Sequence, residues 1–233
     1  MFCLQIRMEL FTKNVAPMTR KTAFLIITLW GSFCGRVFGQ EDWKLNTSKE
    51  GMSVYTKTFP DSKFKAIKVE LSLDATLSQL VAVVLDVSTG ADWVYATKSS
   101  VLLKRLSAAE VIYYSEVKLP WPIHNRDFIA QLKAVQDPVT RVVTIYGPVV
   151  PDYIPIKKDI VRVRKSEGKW VITPLGGGHI KVEYTIRLDP GGDLPAWLFN
   201  LFVTKGPAES FENLKVQLRK PAYTNVHLPF ISE

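Results

Sequence analysis

The sequence predicts an α+β domain, in which a curved antiparallel sheet of about eight or nine strands surrounds one long C-terminal helix. Several segments alternate apolar and polar residues with a period of two, which is typical of antiparallel strands with one buried and one wet face. One long segment, residues 194–219, has apolar residues at helical spacing instead. No repeat or linker interrupts Gln40–Glu233, so we expect one domain.

The strand alternation is clearest in residues 67–73 and 180–188, where every second side chain is apolar. Further strands are predicted at residues 51–59, 100–106, 110–118, 126–135, 141–147, 160–165 and 169–173. Three glycines at 176–178 supply a permissive turn between the last two predicted strands.

Two helices are predicted. The first follows Asp74, interpreted as its N-cap, and has apolar residues at i, i+3, i+4, i+7 and i+8 from Leu77. The second is the segment 194–219, in which Gly206 and Pro207 should produce a kink. Its first half is apolar nearly all round, so we expect that half to be buried on every side or to contact lipid.

The predicted elements leave a space to be filled. A sheet of this size has a larger apolar face than one helix can cover. The sequence therefore predicts a hollow between sheet and helix, large enough for an apolar ligand.

The N-terminal segment, residues 1–39, has the layout of a signal peptide. Arg20 and Lys21 precede fourteen residues without charge, 22–35, which are too few for a bilayer span of about 20 residues. Met18 would begin a more compact signal and is an alternative start. We expect export to the periplasm or the medium after cleavage, and the alternative is an uncleaved membrane anchor.

Charge and cysteine content change when this segment is removed. Residues 1–39 hold five basic residues and one acidic residue, so their removal lowers the formal net charge from +8 to +4. The smaller charge weakens the case for nucleic-acid binding but still favours contact with anionic membranes. Both cysteines, Cys3 and Cys34, lie in the removed segment, which leaves residues 40–233 without a disulfide or a thiolate.

The stretch YSEVKLPWPIHNRDF, residues 114–128, has the pattern Y-x-E-V-K-x-P-x-P-x-x-N-R-D-F. Four other stretches accompany it in chain order, at residues 43–55, 84–93, 189–200 and 206–215. Together they resemble START domains, the lipid-transfer modules of the helix-grip (START/Bet v 1-like) fold. The central motif is most similar to the phosphatidylcholine-transfer subgroup. The resemblance implies that one lipid, of acyl-chain or phospholipid type, is bound in an internal cavity and carried.

Alternation along the strand that ends this motif places Arg126, Phe128, Ala130 and Leu132 on the cavity face. Arg126 either ties down the preceding turn together with Asp127 or reaches a lipid headgroup. Sterol-carrying relatives often place an arginine on this strand to meet the sterol hydroxyl. The resemblance puts Leu132 at that position, which favours an acyl-chain ligand.

The remaining predicted site residues belong to the cavity wall or to its entrance. Aromatic residues of the cavity strands are interpreted first as packing residues whose hydroxyls can contact a ligand. The entrance is predicted at the loop 149–155 or at the apolar first half of the C-terminal helix. These predictions name Tyr113, Tyr153, Ile154, Tyr184, Trp197, Phe199, Leu201 and Phe202.

Signatures of catalysis are missing from the sequence. His124, His179 and His227 lack metal-ligand spacing, and no nucleophile elbow, H-E-x-x-H motif or phosphate-binding glycine loop occurs in residues 40–233. We therefore expect a monomeric carrier that is not an enzyme, needs no cofactor or metal, and contacts membranes transiently. Two alternatives stay open: a helix-grip enzyme of the cyclase or hydrolase type, and a lipid sensor tethered by an uncleaved N-terminal segment.

Overall fold

The computed structural model describes residues 43–233, without the side chains of Ala196, Trp197, Asn200, Leu201 and Thr204. The predicted signal peptide, residues 1–39, lies outside the described residues, and so do the side chains of the two predicted site residues Trp197 and Leu201.

The described residues form a ten-stranded open sheet with helices on its inner face, which confirms the predicted α+β, helix-grip architecture. The strands are β1 Lys44–Lys49, β2 Met52–Phe59, β3 Ser62–Asp74, β4 Thr97–Ser107, β5 Glu110–Val117, β6 Asn125–Gln136, β7 Val143–Pro148, β8 Ile160–Arg162, β9 Lys165–Gly176 and β10 His179–Asp189. Their order is β1-β2-β3-β10-β9-β7-β6-β5-β4. The short β8 pairs in parallel with β6, whereas all other pairings are antiparallel.

The sheet has one more strand than the upper prediction. The edge strand β1 was not predicted, because all six of its residues are exposed and show no apolar alternation. The predicted turn at the three glycines is confirmed, since Gly176, Gly177 and Gly178 join β9 to β10 with positive φ angles. This left-handed backbone is the conformation that glycine adopts at no steric cost.

The helices are α1 Leu77–Leu85, α2 Gly90–Trp93, α3 Ala196–Leu218 and α4 Pro221–Thr224, with a 3₁₀ turn at Val87–Thr89. The N-cap prediction for α1 was wrong. Thr76 caps the helix, in a reciprocal capping box with Gln79. Asp74 ends β3 instead, where its carboxylate lies 2.8 Å from Nδ1 of His179 on the neighbouring strand β10.

Helix α3 lies against the inner face of the sheet and continues through Pro207. Its second half is anchored by Phe211, Leu214 and Leu218, all of which are buried in the main core. No helix within residues 43–233 is both long and apolar enough to cross a membrane.

The sheet has a small second core on its outer face. Ile112, Tyr114 and Ile129 are buried there, with Val150 and Ile154 packed against them. The alternating pleat explains the division, because odd and even residues of β5 and β6 point to opposite faces. The segment after β7 therefore covers the outside of the sheet.

Candidate ligand-binding cavity

Two adjoining chambers, of about 290 Å³ and about 200 Å³, lie between the inner face of the sheet and helix α3. The first extends towards α1 and α2, and the second extends towards the turn before β6 and the segment before α3. Both chambers are lined by Ile67, Tyr113, Val117, Phe128, Leu132, Trp170, Tyr184, Ile186, Leu188 and Phe202. These shared walls make the chambers neighbouring parts of one largely apolar space.

The strand pairing of β5 with β6 positions several of the predicted residues. Tyr113 lies opposite Ala130, and the next inward pair on this face is Ser115 with Phe128. Leu132 lines both chambers and is nearly buried, whereas Ala130 lines the second chamber only. The structure thus brings these residues of β5 and β6 together on the cavity side of the sheet.

Aromatic rings form the floor between the two chambers. The Trp170 ring lies 4.6 Å from that of Tyr184 and 5.6 Å from that of Phe211, and Trp93 approaches it edge-on at 6.4 Å, all measured between ring centroids. Tilted and edge-on pairs at these distances are the favourable arrangements of aromatic rings. This aromatic floor joins strands β9 and β10 to helix α3.

Three polar atoms interrupt the apolar lining near this floor. Burial raises the pKa of the Tyr113 and Tyr184 phenols well above their usual range, so both hydroxyls stay protonated. The indole Nε1 of Trp93, which lines the first chamber, is buried and has no hydrogen-bond partner among the described residues. Each of these groups can donate a hydrogen bond to a ligand.

Two glycines make room for the side chains of the cavity wall. Gly147 on β7 and Gly168 on β9 are register partners, and both line the second chamber. A Cβ atom at Gly147 would lie 2.9 Å from Cδ2 of Leu132, and one at Gly168 would lie 3.7 Å from the Tyr184 hydroxyl. The first distance is too short for two carbon atoms, so Leu132 could not keep its position beside an alanine.

Arg126 is the only charged residue among those described in the lining of the second chamber. The residue is 6% exposed. Its Nη1 donates a hydrogen bond to the backbone oxygen of His124 at 2.6 Å, and its Nη2 donates to that of Gly191 at 3.2 Å. These contacts join the turn before β6 to the segment between β10 and α3. Burial lowers the pKa of the guanidinium, which starts so high that the group stays charged at neutral pH.

Asp127 faces the other side of the sheet. Its two carboxylate oxygens accept hydrogen bonds from Nε and Nη2 of Arg162, at 2.6 Å and 3.0 Å, and both side chains are almost fully buried. Arg162 also donates from Nη1 to the backbone oxygens of Pro151 and Ile154, at 2.6 Å and 3.1 Å. One buried ion pair thus fixes the loop after β7.

These bonds correct the placement predicted for the loop 149–155. Neither Tyr153 nor Ile154 lines a chamber: Ile154 packs in the outer core, and Tyr153 is 44% exposed on the surface. The apolar residues among prolines suggested an entrance. Val149 does line the second chamber, but Val150 and Ile154 pack in the outer core. Arg162 lies eight residues beyond Ile154, and it fixes that placement through its pair with Asp127, which is 35 residues away in sequence.

The first half of α3 does line the cavity. Phe199 lies in the second chamber with its ring 5.1 Å from that of Phe64, and Phe202 lines both chambers with its ring 5.7 Å from that of Tyr95. Tyr95 and Trp93 were not predicted as site residues. They follow α1 in the chain; Trp93 ends the family-like stretch at 84–93, and Tyr95 lies two residues beyond it, where no pattern marked it.

A search for metal ligands finds no cluster of three His, Cys, Asp or Glu side chains among residues 43–233. The first chamber has one charged lining residue among those described, Asp86. Its carboxylate accepts a hydrogen bond from the Tyr223 hydroxyl at 2.7 Å. That contact connects α4 to the end of α1 and gives the carboxylate a structural partner.

Comparison with known proteins agrees with this architecture. The sequence profile of the START domain matches residues 37–222. An uncharacterized protein of Pseudomonas aeruginosa is 33% identical over 186 residues, which cover 77% of this chain and 88% of that protein. Bovine phosphatidylcholine transfer protein is 27% identical over 169 residues, which cover 70% of this chain and 78% of that protein. The crystal structure of a STAR-related lipid transfer protein from Xanthomonas axonopodis, 29% identical, superposes with a TM-score of 0.70, covering 76% of this chain and 99% of its own. The chain belongs to the START domain family.

Proposed function

We propose that the protein binds a single lipid in the two-chambered cavity and carries it between membranes. The observation that carries this proposal is the continuous apolar lining between sheet and helix, in a chain of the START domain family. The family includes relatives named for phosphatidylcholine transfer, which supports the same activity here.

Desolvation is the proposed driving force. Moving an acyl chain from water into an apolar wall is worth about 0.8 kcal/mol per methylene, so about ten buried methylenes would contribute roughly 8 kcal/mol. That free energy corresponds to about micromolar affinity. Binding and release, without a chemical step, is the activity that such a lining supports best, because the described walls hold only Asp86 and Arg126 as charged side chains.

The ligand needs an exit from the cavity. We propose that the first half of α3 moves to open it. Phe199 and Phe202 on this half close the cavity against Phe64 and Tyr95. Pro207 lacks an N–H and so weakens the helix at this point, which offers a hinge behind the moving half. The second half would stay anchored in the core.

We also propose that the carrier acts as an exported monomer that touches membranes transiently. The support for export is the charge and hydropathy of residues 1–39, and the support for membrane contact is the positive net charge of the remainder. N-terminal sequencing of the protein from cell fractions tests export: a start near Gln40 outside the cytoplasm is expected, and a retained N terminus would contradict it.

The central experiment is native mass spectrometry of the purified protein, followed by transfer assays between labelled and unlabelled vesicles. We expect a one-to-one lipid complex and transfer that is first order in protein. A protein that carries no lipid and does not accelerate transfer would overturn the proposal. Conversion of the bound molecule into a product would favour the enzyme alternative.

A further inference from the structure

The guanidinium of Arg126 is incompletely partnered in the cavity wall. Its Nε is buried and has no hydrogen-bond partner in the described part of the chain, and its two other bonds go to neutral backbone oxygens. Within residues 43–233 no carboxylate forms an ion pair with it. A buried cation normally has an anionic partner, because removal of a charge from water is otherwise expensive.

Arg162 shows how this chain treats a buried arginine that has only a structural role. It is similarly buried, and it pairs with both oxygens of Asp127 while donating to backbone oxygens of the adjacent loop. Arg126 stands one residue away from Asp127 in sequence, yet it lines a chamber and lacks any such counter-charge. The chamber itself is therefore the place from which an anion can approach.

The surroundings of Arg126 define what that anion must carry. Leu119, Phe128, Ala130, Pro190 and Leu194 line the same chamber, and all of these side chains are apolar. A small hydrated anion would lose its water in such a place and gain few contacts. An anion attached to an acyl chain would bury the chain against these walls at the same time.

We propose that Arg126 binds the oxyanion of an anionic lipid, with the acyl chain extending along Phe128 and Ala130 into the shared space. Both the carboxylate of a fatty acid and the phosphate of a phospholipid present such an oxyanion, and the planar guanidinium can donate hydrogen bonds to either one. The inference rests on the proposed function and specifies the class of lipid. The backbone bonds from Nη1 and Nη2 hold the side chain in place for this contact.

The test compares ligands that differ only in the head. Purified and delipidated full-length protein is loaded with a neutral pyrene-labelled diacylglycerol, and displacement is measured with oleate, oleyl alcohol, phosphatidylglycerol and unlabelled diacylglycerol. We expect the anionic member of each pair with matched chains to bind about tenfold more tightly, the gain from one hydrogen-bonded charge contact. Arg126→Gln should reduce this ratio to about one and leave the neutral lipids bound.

The controls separate charge from folding. Arg126→Lys keeps the charge without the planar fork and should retain part of the preference. Arg164→Gln removes an exposed arginine that pairs with Asp152, and it should change nothing. If Arg126→Gln does not fold, the ratio of anionic to neutral lipid affinity in the wild type and in Arg126→Lys still tests whether Arg126 binds the anion.

The outcomes also identify the anion. Preference for oleate alone assigns a fatty acid, and preference for phosphatidylglycerol alone assigns a phospholipid phosphate. Competition by inorganic phosphate or acetate at the same concentrations would overturn the requirement for an acyl chain. Equal binding of anionic and neutral lipids would overturn the role of Arg126 while the carrier function stands, whereas failure of every lipid to bind would overturn the carrier function itself.

Discussion

Arg126 and Asp127 are neighbours in sequence with opposite surroundings. Asp127, on the outer face of β6, has its carboxylate fully engaged by Arg162. Arg126, on the inner face, has no carboxylate within the described part of the chain and keeps one unpartnered N–H. The pleat separates them, because successive strand residues point to opposite sides. The outer face therefore uses a buried ion pair to hold a loop, whereas the inner face carries a buried charge without a counter-charge among the described residues.

The contrast holds for a second charged group of the wall. On the outer face Glu116 accepts hydrogen bonds from Lys98 at 2.8 Å and from Asn125 at 2.7 Å. Among the described residues the Arg126 Nε has no partner, and two neutral buried groups also lack one: the Trp93 indole N–H beside the first chamber and the Tyr114 hydroxyl on the outer face. Satisfied polar groups favour one rigid arrangement, whereas unsatisfied groups in a cavity favour occupation by something else.

The largest expected effect comes from breaking the outer ion pair. Asp127→Asn leaves the charge of Arg162 buried and uncompensated, which should lower the free energy of unfolding by about 3–5 kcal/mol. Chemical denaturation measures the loss. Asp152→Asn is the matched control, since it breaks the exposed pair with Arg164 and should cost little. A small effect of Asp127→Asn would mean that the loop is held by other contacts.

A second substitution adds an unpaired charge to the inner face. Leu132→Arg should destabilise the protein by about 2–4 kcal/mol, less than the first variant because the adjoining chambers give the side chain some room. Val135→Arg, on the exposed side of the same strand, should change stability by less than about 0.5 kcal/mol. Coincident melting curves of Leu132→Arg and the wild type would place Leu132 in water.

A third substitution tests the helix side of the cavity. Phe202→Asp places a negative charge in the wall that both chambers share, so it should slow lipid transfer between vesicles about tenfold. It should lower the free energy of unfolding by only about 1–2 kcal/mol, because the ring is only partly buried. Val216→Asp on the exposed side of α3 is the control, and it should transfer normally. Unchanged transfer by Phe202→Asp would make this half of the helix a fixed wall.

The smallest effect concerns pH. Burial acts to raise the pKa of the Glu116 carboxyl, but hydrogen bonds from Lys98 and Asn125 outweigh it and hold the pKa below the ordinary value near 4.5. A carboxyl with a lowered folded pKa stabilises the protein above its unfolded pKa, and this contribution disappears as the pH falls through the folded value. Glu116→Gln should therefore show a shallower loss of stability below about pH 4.5. Parallel denaturation curves of both proteins between neutral and acidic pH would contradict this.

The fold was largely predictable because its information is local. Alternation in 67–73 and 180–188 predicted β3 and β10, and the glycine run predicted the turn that joins β9 to β10. The edge strand β1 lacks a buried face and left no pattern to detect. Asp74 seemed the better cap by position, but its partner is His179, which is remote in sequence.

The cavity was predictable where a local pattern decides it, either parity along a strand or the apolar first half of α3, which supplied Phe199 and Phe202. Tyr113, Phe128, Leu132 and Tyr184 line it as alternation indicated. The loop containing Ile154 was misplaced because its position depends on hydrogen bonds from Arg162, and no local pattern encodes these.

The facing glycines of β7 and β9 influence the size of the second chamber but not its charge. A methyl group at Gly147 would displace Leu132, whereas one at Gly168 would meet the Tyr184 hydroxyl at an ordinary contact distance of 3.7 Å. Either methyl group would narrow the second chamber without changing its one charged side chain, Arg126. In the proposed carrier, ligand size and ligand charge thus depend on different residues, so substitutions at the two glycines should change the length or bulk of the lipid that fits and leave the proposed headgroup preference the same.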